Sequence, residues 1–211
     1  MQIIEQMLTG QLPMPEFTQA LQKDQALRDT IRHFIPEEAK NDPHHPFWNR
    51  ITYSVLEQYN FDYLAFVLAL TRFDGTIGDA LNIFSLFEDT YKYYHPEIVC
   101  TTEYYEAHGL YLDAVGSFYE GPEVTQFLNQ IVMEELPVKS KSKQIKLLRG
   151  KLKEAFHVVD NKRPYWIQGG EWPMGKNSPM QYIERNKIPD GIEYVFRDVD
   201  TDTIRMIEQY Y

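Results

Sequence analysis

Only one cysteine, Cys100, stands in the 211 residues, so no intrachain disulfide can form and nothing in the chain demands an oxidising compartment. Long apolar runs are missing as well. The longest, Tyr63 to Leu70, falls well short of the roughly 20 residues that a bilayer-spanning helix needs. Between Met1 and Phe17 no basic stretch leads into an apolar one, which predicts no signal peptide and a cytoplasmic protein. Bases are scarce: 21 Lys and Arg face 31 Asp and Glu, for a formal charge of -10. Phosphate backbones and anionic lipid surfaces reward Lys and Arg, so this balance argues against a dedicated nucleic-acid or membrane binder and for a basic or metal-bearing partner. No internal repeat, low-complexity tract or flexible linker interrupts the chain.

What is present is an ordinary globular composition, 43% hydrophobic and long enough for one sizeable core or a core with an appended lobe. Apolar residues recur at helical spacing through most of it. Phe17, Ala20, Leu21, Leu27, Ile31, Phe34 and Ile35 form a first stripe between Pro15 and Pro36. Phe47, Trp48, Ile51, Val55 and Tyr59 form a second, and the almost wholly apolar segment from Phe61 to Phe73 a third, ended by Asp74 and Gly75. Ile77, Leu81, Phe84, Phe87, Tyr91 and Tyr94 make a fourth, stopped at His95 and Pro96. Beyond Gly121 and Pro122 comes a stripe of Val124, Phe127, Leu128, Ile131 and Val132, with Pro122 placed at a first-turn position. A basic helix follows, in which Ile145, Leu148, Leu152 and Phe156 face inward and seven Lys and Arg between Lys139 and Lys153 surround them. After Val159 the period changes to that of strands: Tyr165 to Ile167, Met180 to Ile183, the alternation Ile192, Tyr194, Phe196, and Ile204 to Tyr210, with turns at Asp190-Gly191 and Asp200 to Thr203. The expected fold is mainly α, with six or seven helices in a bundle-like part over 1–158. A small antiparallel β element over 159–211 packs on them in one structural unit, α+β overall, because a few short strands are marginal alone.

The strongest pattern lies in the stretch from Thr102 to Glu120. Wound at about 100° per residue, it collects Tyr104, Tyr105, His108, Tyr111, Leu112, Val115, Phe118 and Tyr119 on one side and Glu103, Glu106, Asp113 and Glu120 on the other. Thr101 or Thr102 supplies the N-cap. From Glu88 to Glu135 ten acids stand against one base, Lys92, whereas from Lys139 onward bases exceed acids by 14 to 10. The composition shifts near Pro137. Glu103, Glu106, Asp113 and Glu120 are therefore the expected partner-binding stripe, set against the plainer reading of a helix kept soluble by its charges.

Catalytic and metal signatures are weak beside it. His44 and His45, between Pro43 and Pro46, lack a third ligand, so no metal is expected there. His108 reads as a hydrogen-bonded core histidine, and Glu106, two residues away on a helix, points elsewhere and makes a poor acid/base dyad with it. The glycine and lysine spacing of Gly170 to Lys176 mimics a phosphate loop, but Asn177 stands where Ser or Thr is needed, Pro173 removes a donor and Glu171 adds a repelling charge. Asp198, Asp200 and Asp202 mimic a calcium loop, yet Thr203 replaces its glycine and Gln209 its glutamate. Cys100, just before a helix start, could have a lowered thiol pKa, but no histidine is placed as its base. The basic helix lacks the exposed aromatics that stack on bases and reads as solvated, or as drawn to the acidic helix within the same fold. No catalytic residue and no cofactor is expected.

The stretch Pro164-Tyr-Trp-Ile-Gln-Gly-Gly-Glu-Trp-Pro-Met-Gly175, with Ser178-Pro-Met180, Glu193-Tyr-Val-Phe-Arg-Asp-Val-Asp-Thr201 and Ile207-Glu-Gln-Tyr-Tyr211, resembles the C-terminal cassettes of small bacterial immunity proteins. Those are the cytoplasmic antidotes of polymorphic toxin and contact-dependent growth inhibition systems. The resemblance covers about the last quarter of the chain and implies a stoichiometric inhibitor bound over the active site of one cognate toxin domain, with no catalytic residues of its own. Many such toxins are nucleases with basic clefts, for which an acidic, tyrosine-bearing surface would compete, and opposed charges speed encounter. Barnase and barstar illustrate that physics. The expected function is thus an immunity protein; the alternative is an intracellular helical adaptor without a toxin partner. An enzyme using His44, His45 or His108 with a carboxylate is a third reading of less weight.

Overall fold

The computed structural model describes residues 2–32, 36–40, 42, 45, 75–116, 119–136 and 140–211. Eight helices and one three-stranded sheet are formed among them. In chain order they are α1 (Gln2–Leu8), α2 (Met14–Lys23), α3 (Gln25–Arg32), α4 (Glu37–Lys40), α5 (Ile77–Tyr94), α6 (Glu103–Val115), α7 (Thr125–Met133), α8 (Lys141–Ala155), then β1 (Gln181–Ile188), β2 (Gly191–Arg197) and β3 (Ile204–Tyr210). The expected α+β architecture is what the chain adopts. The second and third stripes, and His44 with its prolines, lie outside the described residues. Contacts group the chain into two compact units, Met1–Tyr105 and Glu106–Tyr211, with the division inside α6. The expected change of period at 158/159 falls between the last helix, which ends at Ala155, and the first strand, which begins at Gln181.

In the first unit, α1 packs on α2 and α5. Ile4, Met7 and Leu8 of α1 meet Phe17 and Leu21 of α2 and Phe84, Phe87 and Tyr91 of α5, all nearly inaccessible. Phe17 and Phe87 cross edge to face at 5.0 Å between centroids. The fourth stripe gives α5 its full expected length. Thr76 caps it, its hydroxyl accepting from the Asp79 amide at 3.1 Å, and His95 ends it. The first stripe is not one helix. Its apolar periodicity runs on, but α2 closes when the Asp24 N–H bonds to Ala20 O, and the Asp24 carboxylate then accepts from the Leu27 amide at 3.1 Å to open α3. Asp competes with the backbone for amide protons, and that local bond wins over an unbroken helix.

The second unit is built on aromatic rings. Trp172, wholly buried, packs against Tyr119 at 5.5 Å, Phe156 at 4.9 Å and Phe196 at 5.6 Å between centroids, and its indole N–H donates to Met180 O at 2.8 Å. Trp166 lies over Tyr194 and Phe196; its own indole N–H is buried with no acceptor among the described residues. The sheet order is β1-β2-β3, antiparallel throughout. Tyr165 to Ile167 is not a strand, contrary to its alternating pattern. Side chains take the place of a ladder there: the Tyr194 hydroxyl donates to Tyr165 O at 2.6 Å, and Gln209, 1% exposed, accepts from the Ile167 and Gln168 amides at 3.1 Å each and donates to Gly169 O at 2.7 Å.

The glycines that mimic a phosphate loop have a packing reason. A Cβ on Gly170 would meet Glu120 Cβ at 2.5 Å, one on Gly121 would meet the Trp172 amide at 2.5 Å, and one on Gly175 would meet the Asp198 carboxyl carbon at 2.9 Å. Two stretches of backbone run in contact, joined by Trp172 N–H to Glu120 O at 2.9 Å. Only glycine permits that approach.

Candidate functional site

Helix α6 is shorter than its sequence pattern. It ends at Val115, so Glu120 is not on the helix that carries Glu103, Glu106 and Asp113. Thr101 stands at its start, its hydroxyl accepting from the Glu103 amide at 3.3 Å. The buried face is also rotated from the expected one. Ala107, Leu110, Ala114 and Val115 are buried, Tyr104, His108 and Tyr111 are half-buried, and Tyr105 and Leu112 are exposed. His108 is therefore at the margin and not a core histidine. The buried positions are held by small Ala side chains together with Leu110 and Val115, and the larger rings stand at the edges; an aromatic count misses this because it scores Ala as neutral. Phe118 lies outside the described residues.

All four carboxylates of the expected stripe are exposed. Asp113 already has a partner: Lys141 stands 2.7 Å away, and Arg149 donates to the Asp113 backbone oxygen at 2.8 Å. The basic helix α8 answers other acids too, through Lys151 with Glu135 at 2.5 Å and Glu134 at 3.7 Å. Glu123 holds Arg205 through both oxygens, at 2.6 and 2.8 Å, and the pairing with Arg205 keeps the Glu123 carboxyl below its ordinary range. The alternative reading of the basic helix, attraction to acids of the same fold, is thus what the second unit contains. Glu103 and Glu120 make no ion pair among the described residues, and Leu112, 56% exposed, stands beside Asp113 on α6.

Glu88, in the first unit, gathers Lys92 at 2.5 Å and the Tyr105 hydroxyl at 2.6 Å. Burial would raise the Glu88 carboxyl, but these two donors outweigh it and lower it, while burial and the bond to Glu88 push the Tyr105 phenol up to about 12. Cys100 lies next to the same carboxylate. Burial first and the Glu88 charge second raise its thiol, the reverse of what a helix start promises, so the thiolate nucleophile is disfavoured.

A polar cleft of about 420 Å³ opens in the first unit, lined by α1 and the end of α5. Its floor is Tyr91, 1% exposed, whose hydroxyl donates to Glu5 Oε1 at 2.5 Å and whose ring stacks on His95 at 4.5 Å. Burial, then the bond to Glu5, raises the Tyr91 phenol far above its ordinary value, so it acts as a fixed donor. Glu97, 3.5 Å from His95 Nδ1, and the amides of Gln2, Gln6 and Gln11 complete the rim. Two carboxylates with amide oxygens suit an ammonium or guanidinium group. Local sequence has no signal for this cleft, since Glu5 and Tyr91 are 86 residues apart and Tyr91 reads as one more core position.

Compared with family models, with curated proteins and with solved structures, the chain matches none of them. The site must be read from its own chemistry. Among the described residues no three His, Cys, Asp or Glu groups converge as a metal cage, and no helix is long and apolar enough to cross a membrane. Asp198 shows why the apparent calcium loop is not one. Its two oxygens accept from the Asp200 amide at 3.0 Å, the Lys176 amide at 3.0 Å and the Thr201 hydroxyl at 2.8 Å, so they serve the turn.

Proposed function

We propose that this chain is a stoichiometric inhibitor of the immunity-protein type, which binds a basic protein, a nuclease toxin domain in the leading case, and covers its active-site cleft. The observation that supports it most is the run of exposed carboxylates on α6, Glu103, Glu106 and Asp113, with the exposed Leu112 next to Asp113 at the margin of that run. An exposed apolar side chain beside a charged flank suits a contact in which the apolar group slows dissociation and the charges speed association. The cation-suited cleft of Glu5 and Glu97 has the same preference of sign. Glu120 contributes charge from beyond the helix.

The pairing of Asp113 with Lys141 favours the alternative, a helical adaptor whose acids serve solubility and internal contacts. Co-expression separates the two readings. The chain is produced together with the C-terminal domain of the protein encoded immediately upstream of its gene. Rescue of growth and co-elution as a one-to-one complex support the inhibitor; a harmless upstream domain, or a toxic one that the chain neither binds nor silences, overturns it.

A further inference from the structure

We propose that the second unit holds an anion site, a cleft of Arg163, Tyr165, Tyr182 and Arg185 that takes a phosphate monoester of mononucleotide size. This proposal is independent of the inhibitor reading. The cleft measures about 410 Å³, within the roughly 300–1,000 Å³ of small-molecule pockets. Its lining is unusual for so acidic a chain: two guanidiniums and two phenols, with no carboxylate among the four.

A defect in the sheet assembles it. Tyr182 and Arg185 are three apart on β1, a spacing that sends side chains to opposite faces of a regular strand. The register slips between Tyr182 and Glu184, so Tyr182 pairs with Phe196 and Arg185 with Tyr194. Phe196 and Tyr194 share one face of β2, and both are fully buried. The extra residue, Ile183, thus turns Arg185 to the side of Tyr182. Bulges that re-aim a side chain in this way recur beside functional sites.

The other two residues are held from the same side. Tyr165 is fixed through its carbonyl, which accepts from the Tyr194 hydroxyl at 2.6 Å, while the residue as a whole is left 71% exposed. Arg163 lies with its guanidinium carbon 5.8 Å from the centre of the Tyr119 ring and hydrogen-bonds the Tyr119 hydroxyl, which opposes the rise that burial imposes on that phenol; one such bond uses part of a fork that carries five N–H donors. Arg185 makes no ion pair or hydrogen bond among the described residues, whereas Arg197 reaches Gln181 and Asp202 and Arg205 is clamped by Glu123. Its charge is felt by the surrounding phenols: it opposes the rise that burial imposes on Tyr182 and Tyr194. Two guanidiniums line one cleft and give it a positive potential. A dianionic monoester answers both with forked hydrogen bonds, and the exposed Tyr165 ring offers a stacking surface for the rest of the ligand.

The test is titration of the full chain with AMP, inorganic phosphate and adenosine, followed by calorimetry and amide chemical shifts. Saturable binding of AMP, weaker binding of phosphate and none of adenosine are expected, with shifts centred on β1 and residues 163–166. Arg185→Gln, a change at an exposed strand position, should weaken AMP and phosphate alike by about tenfold or more. Tyr165→Ala should weaken AMP and leave phosphate unchanged. Arg163→Gln also touches Tyr119, so near-ultraviolet circular dichroism must confirm its fold before it counts. No saturable binding of AMP or phosphate at millimolar concentration, or equal affinity in wild type and Arg185→Gln, would overturn the site.

Discussion

Asp198 shows how one buried carboxylate can organise a whole corner. It is 6% exposed and ties the turn between β2 and β3 to the Gly175–Lys176 loop by accepting from two amides and a hydroxyl. The Asp200 amide first, and then the Thr201 hydroxyl, hold its carboxyl below the ordinary range. A carboxyl whose folded pKa lies below its unfolded value contributes stability that is complete above the unfolded pKa, about 3.9, and is lost as pH falls through the folded value. Asn at this position keeps the shape but has no carboxyl to titrate. Urea midpoints of wild type and Asp198→Asn should differ most at neutral pH and converge below about pH 4. A gap that stays constant down to pH 3 would show that shape, and not charge, is what the corner requires.

Among the elements, the junction of α2 and α3 shows a local bond overruling a long apolar period. Asp24 uses its backbone to close one helix and its side chain to open the next, and it is itself exposed. Asp24→Ala should cost about 1 kcal/mol, the usual loss for an N-cap, and Asp24→Asn should recover most of it because the acceptor is kept. Chemical denaturation of the three proteins measures this. Equal stability for Asp24→Ala and wild type would mean that packing of Leu21 and Leu27 alone sets the break. The β1 bulge is the sheet's counterpart. It changes which residues share a face without changing which residues are there, so no count of alternating positions could have placed Arg185 beside Tyr182.

For the whole molecule the leading question is what the residual negative charge does. The lysines of α8 meet Asp113, Glu134 and Glu135, while the other three acids of the expected stripe, Glu103, Glu106 and Glu120, are exposed and pair with none of those lysines. Reversing those three to Lys while keeping Asp113 avoids setting a new lysine against Lys141, so the fold should be preserved. If the inhibitor reading holds, association with the toxin partner slows at low salt and the difference shrinks as salt rises, with dissociation little changed. Leu112→Ala should do the opposite, speeding dissociation and leaving association alone. Stopped-flow kinetics at two salt concentrations separates the effects; unchanged rates for both variants would move the contact away from α6.

Much of the architecture was determined locally. The period of α5 is written in Ile77 to Tyr91, its cap in Thr76, and the two turns of the sheet in Asp190-Gly191 and the Asp200 to Thr203 stretch, because spacing and turn chemistry act over a few residues. The exposed acids of the expected stripe were legible for the same reason. Tertiary structure decided what depends on distant partners. Ala107, Leu110 and Ala114 became the buried face of α6, a choice made by packing from outside the helix that aromatic periodicity does not register. The segment from Tyr165 to Ile167 lost its ladder to the side chains of Tyr194 and Gln209, some 30 to 40 residues away. Both clefts join residues that have no local relation, Glu5 with Tyr91 and Arg163 with Arg185, because a cavity belongs to the space between elements and only packing brings its walls together.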